Sequence, residues 1–118
     1  MERKASWLQA FVRQKACENA SPPVGHKVLW SRHAIAKLVI EGLSRTVVEE
    51  ALREAEVIEV YPMVTRPLPD GLVLIQLEKG HPLHAVVAVD ESNDRVFVVT
   101  IYTPDPDRWN HDFRTRRR

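Results

Sequence analysis

The sequence predicts an α+β domain in which helices pack on one face of a four-stranded antiparallel sheet. Three observations lead there. Residues 72–102 form three apolar, β-branched runs parted by two short polar connections, which is the pattern of an antiparallel meander. Upstream, apolar residues recur at helical spacing in three stretches. The helical stretches also precede the strands instead of alternating with them, the order of a two-layer α+β fold.

Taken in order, residues 5–17 put Trp7, Leu8, Phe11, Val12 and Ala16 on one helical face. Asn19-Ala20-Ser21-Pro22-Pro23 then reads as a linker. Residues 1–23 are accordingly an N-terminal amphipathic helix with its linker, and residues 24–118 the α+β domain. A short extended piece, residues 27–30, comes next. Ser31 is placed to cap a helix carrying Ile35, Leu38 and Val39, which Gly42 stops. Ser44 or Thr46 starts another, with Thr46 and Glu49 spaced as a capping box. It runs to Glu54 with Val47, Val48, Ala51, Leu52 and Ala55 inward. Residues 57–61 form a strand broken by Pro62, and residues 63–70 a loop. Beyond the meander, Asp105-Pro106 opens a short C-terminal helix on which Trp109 and Phe113 share a face. The arginine-rich stretch after it is expected to fray.

Alternation separates the two faces of the meander. With Lys79 to Pro82 as one turn and Glu91 to Asn93 as the other, odd positions share a face: Val73, Ile75, Leu77, Leu83, Ala85, Val87, Val89, Phe97, Val99 and Ile101. That face needs a cover of helices. The even face mixes Leu74, Val86, Val96 and Val98 with Gln76, His84, Thr100 and Tyr102, so a polar cluster interrupts an apolar sheet. A slip of one residue would exchange the faces. Phe97, in a central strand, is expected to matter more to stability than Trp109 in a satellite helix.

Net charge is only +1, but unevenly spread. Arg3, Lys4, Arg13 and Lys15 make the start basic and Arg114, Arg116, Arg117 and Arg118 the end, while Glu41, Glu49, Glu50, Glu54, Glu56 and Glu59 make the middle acidic. Basic ends suit a phosphate backbone or an acidic protein, or simply keep the chain soluble. No apolar run approaches the roughly 18 residues of a membrane span, and the start lacks a signal-peptide pattern, so a cytoplasmic protein is expected. The one cysteine, Cys17, excludes an internal disulfide and reads as a semi-buried helix residue. His81 and His84, three apart on a strand, face opposite ways, and no spaced set of ligands accompanies them, so neither a metal nor another cofactor is expected.

Several motifs carry a family resemblance. Ser31-Arg32-His33-Ala34, Gly42-Leu43-Ser44 and Val57-Ile58-Glu59-x-Tyr61-Pro62 resemble a small bacterial family classed as a domain of unknown function. So do Pro82-Leu83-His84-Ala85-Val86-Val87-Ala88, Val99-Thr100-Ile101-Tyr102-x-Pro104-Asp105, and Trp109 with Asp112-Phe113-Arg114. The chain departs from that pattern at Lys37 and Glu41, where an arginine is usual. The family is similar in fold to RelE/ParE-like and MqsR-like toxins, and its genes often stand beside those of zinc-ribbon antitoxins. The resemblance implies an mRNA-cleaving toxin, with mRNA, in ribosome association, and an antitoxin protein as partners.

Metal-independent RNA cleavage needs a base for the 2′-OH, an acid for the leaving oxygen and cations for the charge that develops on phosphorus. His84 is the first choice for acid or base, since an unperturbed imidazole titrates near neutrality. Tyr102 could donate a proton or stack on a base. His33 and Lys37, four apart, share one helical face, and Arg32, Arg66 or Arg114 could contact phosphate. Blander roles stay open: His84 as a strand histidine bonded to Gln76 or Thr100, His33 bonded to the local backbone, Tyr102 as a strand aromatic. Two functional classes follow, a ribonuclease toxin and a non-catalytic protein- or RNA-binding module.

Overall fold

In a computed structural model that describes residues 5–21, 25–62 and 67–117, the chain opens with helix α1, Ala5–Asn19. Strand β1, Val28–Trp30, is followed by helices α2, Arg32–Glu41, and α3, Arg45–Ala51, and α3 tightens into a 3₁₀ turn over Leu52–Glu54. The other strands are β2, Glu56–Val60, β3, Asp70–Gln76, β4, Pro82–Asp90, and β5, Arg95–Tyr102. They form one five-stranded sheet in the order β1-β5-β4-β3-β2. Its β1–β5 pairing is parallel and the rest antiparallel. The expected sheet of four antiparallel strands is therefore corrected to a mixed sheet of five. The added strand is the extended piece before α2, three residues that carry too little alternation to be placed from sequence.

The helix ends follow local chemistry. The Ser31 hydroxyl accepts from the Ala34 amide at 3.0 Å, and Gly42 closes α2 at φ 66°, a left-handed position that glycine takes without penalty. Ser44, and not Thr46, caps α3. Glu49 accordingly does not close a capping box. Its carboxylate accepts from the Trp30 indole at 2.7 Å, from Asn19 at 3.0 Å and from Arg45 at 2.8 Å, tying α3 to α1 and β1.

One face of the sheet carries the main core. Leu8, Val12 and Ala16 of α1, Ala34 and Leu38 of α2, and Val48, Leu52 and Ala55 around α3 pack with Val73, Ile75, Leu83, Ala85, Val87 and Val89. The parity expected for β3 and β4 stands, with Leu83 opposite Ile75. Gly71 lets α1 lie close, because a Cβ there would fall 2.7 Å from the Leu8 methyl and 2.6 Å from the Glu59 carbonyl oxygen. Ile35, Val39 and Val47 are corrections in the other direction, since all three are exposed, Val39 at 80%. Cys17 is exposed as well.

Two β-bulges set what the other face presents. In β5, Val86 pairs with Thr100 but Val87 with Val98, so Val99 is an extra residue. Parity reverses there: Val96, Val98 and Ile101 enter the helix-side core, while Val99 is 38% exposed and Phe97 half-buried under the Arg95 guanidinium. Phe97 and Val99 are thus corrected off the helix face. In β2, Val57 pairs with Val73 but Glu59 with Leu72, so Ile58 is the extra residue. Glu56, opposite Leu74, and Glu59, opposite Leu72, consequently share the face away from the helices, although three residues apart.

Residues 104–117 cross that second face as an irregular strap, not as the expected helix. The Asp105 carboxylate accepts from the Asp107 amide at 2.8 Å, and that of Asp112 from the Arg114 amide at 2.9 Å. Such turns compete with helix formation for the same backbone groups. The strap folds on itself by an antiparallel bridge between Trp109 and Arg116, and Arg117 donates to the Trp109 and Pro106 carbonyls at 2.9 and 2.8 Å. Arg114, Arg116 and Arg117 are thus held by hydrogen bonds instead of fraying, and Arg118 lies outside the described residues.

Candidate functional site

His84 and Tyr102 share the strap-side face, and the register of β4 and β5 sets them opposite each other. The imidazole is fully buried. Its rim is the Tyr102 ring at 5.3 Å and the Trp109 ring at 4.5 Å, both edge-on. Nε2 lies 2.8 Å from the Phe113 carbonyl oxygen and Nδ1 3.2 Å from the Tyr102 hydroxyl. A carbonyl only accepts, so Nε2 carries the proton, and the neutral ring takes the tyrosine proton at Nδ1. Burial lowers the His84 pKa below its ordinary 6.5, and the bond to Phe113 opposes that only in part. Burial likewise raises the Tyr102 hydroxyl. Gln76, expected beside them, faces Pro82 and is exposed, and Thr100 bonds elsewhere.

The strap that covers the imidazole is anchored on the two bulge-aligned glutamates. Arg114 donates to both oxygens of Glu56, and Arg116 to both oxygens of Glu59 at 2.7 and 3.0 Å. The Arg114 hydrogen bond holds the Glu56 carboxyl below its usual range. Arg116 also stacks over Trp109, its guanidinium 4.7 Å from the ring centre. Phe113, whose carbonyl meets His84, sits at φ 58°. A left-handed backbone costs a residue with a side chain about 1–2 kcal/mol. Arg116, Glu56, Glu59 and the Phe113 carbonyl are functional groups that sequence reasoning did not pair. Their spacing becomes meaningful only once the bulge at Ile58 is known.

A second cluster lies open on α2. β1 ends at Trp30, opposite Val98, and α2 continues along the unpaired half of β5. The Ser31 amide donates to the Val98 carbonyl at 3.0 Å, the Ser31 hydroxyl to that of Val99 at 2.7 Å, and the Thr103 amide to Glu41 at 3.0 Å. His33 is exposed, its Nε2 2.9 Å from the Thr100 hydroxyl. Lys37 is half-buried one turn on, and Arg32 is exposed at the helix start. The structure thus splits the expected site in two: His84 and Tyr102 with Arg114 on the strap face, and Arg32, His33 and Lys37 on the flank of α2. Arg66 lies outside the described residues. A cleft of about 450 Å³, bordered by Glu41, Leu43, Val47, Leu77, His81 and Thr103, contains none of these residues.

Among the described residues no three metal-ligating side chains come together, and no helix is long and apolar enough to cross a membrane. The family model described as "Domain of unknown function (DUF4258)" matches residues 30–103, and the chain belongs to that family. The match runs from the last residue of β1 through β5 and stops just before the strap. No curated protein and no solved structure matches the chain significantly.

Proposed function

With family membership as the premise, we propose that the protein is an RNA-binding module, and that in the closed form described here it binds without cutting. The observation that carries this is the state of His84. The ring best suited to acid–base chemistry has no exposed surface and both nitrogens bonded, so no phosphodiester can reach it. Arg32 and His33, by contrast, are exposed at the start of α2, with the half-buried Lys37 one turn on, a group of side chains suited to phosphate contacts. Binding is tested by fluorescence anisotropy with a labelled single-stranded RNA. Arg32→Ala with Lys37→Ala should weaken it and flatten its salt dependence by about 0.7 logarithmic units per lost contact. Affinity that is absent even at low salt would sink the proposal.

The bond between His33 and Thr100 favours a second reading, an endoribonuclease of the toxin type with His33 as acid or base and Lys37 beside the charged phosphorus. An antitoxin-type partner belongs to that reading, and Val39 and Ile40, 80% and 73% exposed, offer it an apolar surface. Cleavage lost in His33→Ala but kept in His84→Ala would select it.

A further inference from the structure

We propose that residues 104–117 are a detachable cover, and that single-stranded RNA opens it by drawing Arg114 and Arg116 from Glu56 and Glu59, so that His84 and Tyr102 become part of the RNA-binding surface. This rests on the RNA-binding reading above and adds its regulation.

The construction of the strap supports release. It has no helix or strand of its own beyond the Trp109–Arg116 bridge, its one large buried side chain is Trp109, and its long-range charged anchors, the two arginine–glutamate pairs, stand at the surface. Their side chains are 45% and 39% exposed for Arg114 with Glu56, and 59% and 26% for Arg116 with Glu59. Pairs of that kind are weak and screened by salt. A phosphate offers a guanidinium the same two-oxygen geometry as a carboxylate, so a polyphosphate chain competes for both arginines at once. The backbone is in its unfavourable left-handed conformation at Phe113, the residue whose carbonyl holds the imidazole. What the strap uncovers also suits the ligand. Two aromatic rings, His84 and Tyr102, lie 5.3 Å apart on neighbouring strands, and an uncovered ring face is a surface on which a base stacks.

The test reads solvent exchange of the His84 Nε2–H by NMR on full-length protein with isotope-labelled imidazole, while anisotropy follows binding of a short oligouridylate. In the closed protein that proton, donated to Phe113, exchanges slowly. RNA should accelerate it, and Glu59→Gln should accelerate it about tenfold or less without RNA, as loss of one surface pair allows. Two variants then separate opening from contact. Glu59→Gln should bind RNA more tightly than wild type, because less of its affinity goes to opening. Arg116→Ala should open as readily yet bind more weakly. If RNA binds while His84 exchange stays slow, the detachable cover is wrong and the binding reading stands. If no RNA binds at low salt, the binding reading fails and RNA-driven opening with it. Acceleration by polyglutamate but not by RNA would overturn the choice of ligand.

Discussion

On the helix face of the sheet, Val73, Ile75, Leu83 and Val87 are covered by apolar side chains from three helices, whereas on the other face His84 is covered by one irregular segment held through arginines, a carbonyl and a tryptophan. Both covers exclude water: Leu83 and His84 alike have no exposed surface. They differ in what sustains the exclusion. Apolar contact is indifferent to pH and gains nothing from salt bridges, while the strap ties burial to a protonation state and to two screened ion pairs. One sheet thus has a face that answers to packing alone and a face that answers to its surroundings. The weaker cover lies over the more reactive side chain.

The sharpest way to break this comparison is to remove the apolar centre of the strap. Trp109→Ala should cost about 3–5 kcal/mol in chemical denaturation, the range for truncating a buried large aromatic. Phe97→Ala should cost less, because Phe97 is half-buried outside the helix-side core. This inverts the order expected from sequence, and equal shifts would mean that Phe97 packs more deeply than its position shows. Gly71→Ala strikes the other face. Forcing a methyl between Leu8 and the Glu59 carbonyl should cost about 1–3 kcal/mol and lower amide protection in α1 and β2, with residues 104–117 unaffected. Protection lost equally in the strap would show that the two covers act as one.

The third effect is one of pH. The folded pKa of His84 lies below 6.5, so the unfolded chain binds the proton first and stability falls as pH drops below about 6.5 toward the folded value. Glu56 and Asp112, whose pKa values are also lowered, lose their contribution only below their ordinary 4.5 and 3.8. Denaturation midpoints of wild type and His84→Gln should therefore diverge as the pH is lowered from neutrality toward that acid region, with wild type the steeper. Parallel curves would mean that the imidazole is not confined as described. The smallest effect is that of the ion pairs: Arg114→Ala should change global stability by less than about 1 kcal/mol and by less still at high salt.

The helix face was largely legible in the sequence because each of its signals is local. Ser31 and Gly42 bound α2 by their own hydrogen bonding and backbone preference, and alternation in β3 and β4 needs no knowledge of the partner strand. What escaped depends on pairs distant in sequence. Val99 becomes an extra residue only against Val86 and Val87, so Phe97 and Val98 exchange faces without any mark in the string of β-branched residues. The strap escaped because Asp105-Pro106 satisfies the rules for opening a helix, while the two aspartate turns that prevent one are equally local and opposed to it. The sequence placed His84 and Tyr102 on one face, one step apart, but led neither to their direct pairing nor to their burial. Burial comes from Trp109 and Phe113, which reach them through charges on a strand remote in the chain.

The extra residue in β2 has a consequence for descent. Ile58 is half-buried, and its presence as a unit of length, whatever its side chain, puts Glu56 and Glu59 on one side of the sheet. Exchanging it for another β-former should be nearly silent. Deleting it would turn one glutamate toward the helices and leave an arginine of the strap without its carboxylate. Related chains should therefore vary freely in which amino acid stands there and hardly at all in how many stand between the two acids, a constraint on counting rather than on identity.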